Sequence, residues 1–224
     1  SNYVGQGGGG SSAVRIRDEH GTRLLNELNA AFEAADAIRV VDERLPPSDG
    51  SYVEVELRRG ANPDGLARKR QGIKPAAVKD SPDGRTVALY VPDHARIALE
   101  AILEDYRAGP LTKAGKTPKE ATVGPIETFR RARLETLWTD DIAALPVDPQ
   151  HQMWWSVWTE RENEGALESV CERLALRAAN RDRRLYFPEM VVVPVLATRA
   201  AIELMMFATS VICELRRATD NPVF

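Results

Sequence analysis

The chain has 224 residues, 43% hydrophobic and 28% charged, enough apolar content to bury a core as one large domain or two small ones. A formal charge of -3 excludes a global field that would draw the chain to nucleic acid. The most apolar stretch, Val191 to Leu215, is interrupted by Arg199 and Glu203, so it reads as a buried strand and helix and not as a membrane span. No basic start followed by an apolar run marks a secretory leader. The two cysteines, Cys171 and Cys213, sit in helix-like patterns and are expected to be buried free thiols in a reduced, cytoplasmic compartment.

Residues 1–17 open with a Gly-rich arm, Gly7 to Ser12, that carries no core-forming side chains. From Asp18 to Arg44 a helical period places Leu24, Leu25, Leu28, Phe32 and Ala35 on one stripe, ended by Pro46-Pro47-Ser48-Asp49-Gly50. Tyr52 to Arg58 alternates, with Val53, Val55 and Leu57 on one side, and predicts a strand. Ala76 to Asp80 and Thr86 to Val91 predict two more, joined as a hairpin through Asp83-Gly84. Asp93 is the expected cap of a helix with Ile97, Ala101, Ile102 and Tyr106 inward.

Residues 109–124 read as a linker between two units, 18–108 and 125–224. Ile126 to Trp138 is expected as a connecting helix and Met153 to Thr159 as a strand. A helix is expected over Gly165 to Asn180, a buried strand over Met190 to Ala197, and a last helix from Thr198 to about Ala218. Short strands and a tight hairpin favour an α+β fold of small ferredoxin-like, propeptide-like units with an added N-terminal helix. The predicted halves are Tyr52 to Tyr106 and Met153 to Ala218.

Catalytic chemistry is sparse. His20, His94 and His151 have no second histidine or cysteine at metal-ligand spacing, so neither metal nor cofactor is expected. The basic set Arg58, Arg59, Arg68, Lys69 and Arg70, with Lys74 beyond it, lacks interleaved aromatic residues. It predicts a solvated face or a protein-docking patch and not a nucleic-acid site. Trp154, Trp155 and Trp158 are core candidates and, alternatively, an exposed docking ridge.

Several segments resemble the region that precedes the catalytic domain in a group of bacterial subtilisin-like serine peptidases. They are the Gly7 to Gly10 run with Arg17 to Gly21, the helix Leu24 to Ala35, Val87 to Pro92, and Ile126 with Leu134 to Asp140. The succession ends with Trp154-Trp155-Ser156-Val157-Trp158 and Ile212 to Ala218. Leu137-Trp138-Thr139-Asp140 followed by Trp-Trp-x-Val-Trp is the most specific part. His20-Gly21-Thr22 is similar to the tripeptide that bears the catalytic histidine of subtilases. Neither the Asp-Ser/Thr-Gly element nor the Gly-Thr-Ser-Met element accompanies it, so no catalytic residue carries over.

The resemblance implies a non-catalytic regulatory or propeptide-like domain that assists or inhibits a subtilisin-like catalytic domain. An AAA-type ATPase is a further implied partner, in an anti-phage setting, and no membrane is involved. The alternative is an interaction module that recruits the ATPase without touching the cleft. Within the first reading the tail Asn221, Pro222, Val223 and Phe224 is expected to run extended, because Pro222 cannot continue a helix, and to lie in the protease cleft.

Overall fold

Alternating apolar residues and a tight Ser81–Gly84 turn build an antiparallel sheet, and the computed structural model describes it within residues 16–41 and 48–218. Helix α1 (Arg17–Val41) leads to strand β1 (Gly50–Arg58). Two 3-10 turns then connect to β2 (Lys74–Asp80), and a hairpin to β3 (Gly84–Pro92). Ser81 and Gly84 exchange backbone hydrogen bonds of 2.8 and 3.3 Å across that hairpin. Helix α2 (Arg96–Ala108), the one-turn helix α3 (Glu120–Val123), β4 (Ile126–Arg131) and the short α4 (Leu134–Leu137) complete the first half. The strand order is β2-β3-β1-β4, and every pairing is antiparallel.

The second half runs β5 (Gln152–Glu160), α5 (Glu164–Arg173), the two-residue strands β6 (Arg177–Ala178) and β7 (Leu185–Tyr186), then β8 (Met190–Thr198), α6 (Arg199–Ala208) and β9 (Glu214–Arg217). Its order β6-β8-β5-β9, again antiparallel, is that of the ferredoxin-like β-α-β-β-α-β unit, with β7 added beside β8. The first sheet has the equivalent order, but its first helix precedes β1 instead of following it. The fold is α+β.

The layers follow from side-chain alternation. Val53, Val55 and Leu57 of β1 join Val87, Leu89 and Val91 of β3 against Leu24, Leu28 and Phe32 of α1 and Leu99 and Leu103 of α2. Tyr52, Ala88 and Tyr90 point the other way, into a second core shared with Trp138, Trp155, Val193, Ile202 and Met205. Helices α4 and α6 therefore lie between the sheets. Tyr52 Oη donates 2.8 Å to the Ile212 carbonyl, tying β1 to the segment before β9. Burial holds the Tyr52 hydroxyl far above the usual range, so it remains a donor.

Several sequence expectations are corrected. Ile126 to Arg131 is a strand, not a helix, because β1 would otherwise leave the polar backbone of its second edge unpaired. Residues 126–131 thus belong to the first sheet. On α2, Ile97 is 75% exposed and Ala101 is also exposed, while Leu99, Leu103 and Tyr106 are buried. The inward stripe sits two residues, about 200°, around the helix from Ile97 and Ala101. Asp93 does not cap that helix; its carboxylate pairs with Arg39 and Arg96. Helix α5 stops at Arg173 because Ala175 adopts a left-handed φ of 52°, which turns the chain into β6. The last helix ends at Ala208, where Thr209 becomes extended, and Leu215 lies in β9. The Gly-rich arm and the tail Asn221 to Phe224 fall outside the described residues.

The shared core predicts large, separable effects on stability. Tyr52→Phe leaves the Ile212 carbonyl unpaired and should cost about 1–2 kcal/mol. Trp155→Ala empties a fully buried site and should cost about 3–5 kcal/mol. Urea titration is expected to show lowered midpoints with unchanged slopes.

Candidate functional site

The run Trp154-Trp155-Ser156-Val157-Trp158 reads out the strand period. Trp155, Val157 and Thr159 are buried beneath α5 and α6. Trp154, Ser156 and Trp158 project from the opposite face, beside Leu196, Pro194 and Val192 of β8. Arg216 and Glu214 of β9 and Arg177 of β6 share that face by register. No described helix covers this side of the sheet, so aromatic and basic side chains meet solvent there.

Aromatic and guanidinium groups interlock across the face. Trp158 stacks on Phe187 with centroids 5.4 Å apart and planes 14° from parallel. The Arg216 guanidinium lies 4.9 Å from the Trp158 ring centroid, and that of Arg177 lies 5.7 Å from the Trp154 ring. Leu185, Tyr186 and Phe187 extend the patch and are exposed. The indole N–H of Trp158 is buried and finds no acceptor among the described residues.

Two devices hold this face in place. Arg184, its side chain only 6% exposed, donates to Glu164 at 2.6 Å, Glu168 at 2.5 Å and the Ala179 carbonyl at 3.0 Å. Tyr186 Oη also donates to Glu164 at 2.8 Å, so the loop carrying Phe187 is tied to α5. Burial alone would raise the Glu164 pKa, but these hydrogen bonds and the Arg184 charge hold its carboxyl below the ordinary value. On the other side, the Thr139 amide donates to Leu215 O at 3.1 Å, and Asp140 accepts from the Arg217 amide at 2.8 Å. Residues 139 and 140 thus cap the outer edge of β9, and Trp138 packs edge-on against Trp155 at 5.5 Å. The Leu-Trp-Thr-Asp motif is the bracket of the second sheet.

The residues singled out from sequence divide. Trp154 and Trp158 stand on the open face; Trp155 does not, since its ring is fully buried and its N–H donates to the Ala197 carbonyl at 3.0 Å. Trp155 is therefore a core residue and not a docking residue. Arg58 pairs with Glu127 at 2.8 Å, and Arg68 turns back on the Gly65 and Ala67 carbonyls. Arg59, Lys69 and Arg70 are exposed in the turns that connect β1 to β2, away from this face. Phe187, Arg177 and Arg216 escaped sequence reasoning. The consecutive Leu185-Tyr186-Phe187 in a loop was the available signal.

His20 is buried between α1 and α2, 3.0 Å from Tyr106 Oη and 2.8 Å from the Ile126 carbonyl. Beside it, a Cβ on Gly21 would come within 2.7 Å of Arg107 Cβ, so the His-Gly pair allows the two helices to approach closely. Among the described residues no group of three His, Cys, Asp or Glu is placed to hold a metal ion, and no helix is long and apolar enough to cross a membrane. The chain matches no protein-family model and no curated protein.

His20→Ala should strip partners from a buried hydroxyl and a buried carbonyl, costing about 2 kcal/mol or more by chemical denaturation. Burial pushes the thiols of Cys171 and Cys213 up to about 11. At pH 8 their thiolate fraction is therefore about 100-fold below that of an ordinary thiol. Ellman's reagent is expected to react slowly with the native protein and at once with both thiols after denaturation.

Proposed function

We propose that this chain is a non-catalytic docking domain for a subtilisin-like serine peptidase, acting as its folding aid or inhibitor. The observation that carries the reading is the second sheet, covered by helices on one face and open on the other through Trp154, Trp158 and Phe187. Such a face offers a flat apolar centre with a basic rim from Arg177 and Arg216, the make-up of a protein–protein hot spot. The similarity of the Leu-Trp-Thr-Asp and Trp-Trp-x-Val-Trp segments to the region preceding a subtilase catalytic domain supplies the partner.

In this reading the segment Asn221 to Phe224 is the part that enters the cleft, where strand addition supplies main-chain hydrogen bonds. The reading assigns no catalytic step to this domain; His20 is held in the core against Tyr106, and His94 and His151 are exposed.

The gene is expected to encode a subtilisin-like catalytic domain beyond this segment. Expressed separately, that domain should lose activity on a chromogenic peptide, or refold in higher yield, when the purified chain is added. Trp158→Ala should weaken the effect about 10-fold or more, as loss of a central anchor does. An unchanged rate together with an unchanged refolding yield, or a gene without such a domain, overturns the proposal.

A further inference from the structure

At the β6 end of the open face lies a pocket of about 440 Å³, lined by Trp154, Arg177, Ala178, Ala179, Asn180 and Arg183. Its volume falls among small-molecule sites, which span about 300–1,000 Å³. Two guanidinium groups, one carboxamide and an indole line it, and no carboxylate does. Arg177 is exposed and forms no ion pair among the described residues; its described partner is the Trp154 ring. A guanidinium held against an aromatic face keeps its N–H edge available to an anion.

The floor is fixed. The Ala179 amide donates 2.8 Å to the Pro194 carbonyl, and the Ala179 carbonyl accepts from buried Arg184. Arg177 and Ala178 pair with Leu196 and Val195. The Trp154 carbonyl accepts from the Ala218 amide at 3.0 Å, which anchors the opposite wall to the end of β9. The polar side chains therefore project from a backbone that sheet hydrogen bonds hold on both sides.

We infer that this pocket binds a planar ring carrying a phosphate, a mononucleotide. The ring seats against the Trp154 indole, Arg177 and Arg183 take the phosphate through charge-assisted hydrogen bonds, and the Asn180 carboxamide faces the edge of the base. A lone phosphate would use the cations and leave the indole unused; an uncharged nucleoside would do the reverse. The site thus selects for both parts on one molecule. This inference stands apart from the docking reading, because it requires only the isolated chain.

Isothermal titration of the full chain with AMP, GMP, CMP and UMP, and in separate runs with adenosine and inorganic phosphate, tests it. At least one mononucleotide should bind with a dissociation constant below about 1 mM, with adenosine and phosphate at least about 10-fold weaker. Arg177→Ala and Asn180→Ala change exposed side chains, so both variants should fold, checked by circular dichroism, and Arg177→Ala should weaken binding about 10-fold or more. Absence of saturable binding by any mononucleotide overturns the inference. So does phosphate binding as tightly as the nucleotide, or nucleotide binding unchanged in Arg177→Ala.

Discussion

Strand β1 sends apolar side chains to both faces of its sheet, Val53, Val55 and Leu57 toward α1 and α2, and Tyr52 toward the second unit. Its neighbour β3 does the same with Leu89 and Tyr90. A sheet of that kind cannot leave either side in water, because each apolar side chain left exposed forgoes about 1.5–3 kcal/mol of burial. One side is covered by helices from the same half of the chain; the other has to be covered by α4 and α6. That requirement joins the two units through one core. The Tyr52–Ile212 hydrogen bond and the Trp138–Trp155 contact then fix how they meet.

The second sheet answers to the opposite constraint. Its inner face is spent on that shared core, and the described residues contain no further layer for its outer face. Trp154, Trp158 and Leu196 therefore remain partly exposed on that face, above the buried side chains of Val192 and Pro194. Arg177 and Arg216 partly shield the indoles, which keeps the patch wetted without filling it. The proposed docking role and the nucleotide pocket both draw on this leftover face. They occupy different parts of it, one centred on Trp158 and Phe187 and the other on Trp154 and Arg177.

Strong local periods were legible. The stripe Leu24, Leu28, Phe32 became the buried face of α1, and the alternation from Val53 to Leu57 became β1. The hairpin through Asp83-Gly84 formed where the turn chemistry placed it. Failures came where a neighbouring strand outweighed local propensity. Ile126 to Arg131 has a passable helical stripe, yet it pairs with β1, because an unpaired strand edge costs more than a weak helix preference recovers. Glu214 to Arg217 was drawn out of an apparent helix by the free edge of β5 in the same way.

By itself the sequence determined the α+β class and the alternating pattern in Trp154 to Trp158, since these depend on turn residues and on periods of 2 and 3.6. Only the tertiary structure decided which tryptophans face out. Trp154 and Trp155 are identical in composition, and one step along a strand sends them to opposite faces, so their roles depend on which face α5 and α6 cover. Likewise His20, which resembles a catalytic histidine in its local tripeptide, acquired a structural role only when α2 and β4 brought Tyr106 and Ile126 to its ring. Contacts between residues about a hundred positions apart follow from packing, and no local period encodes them.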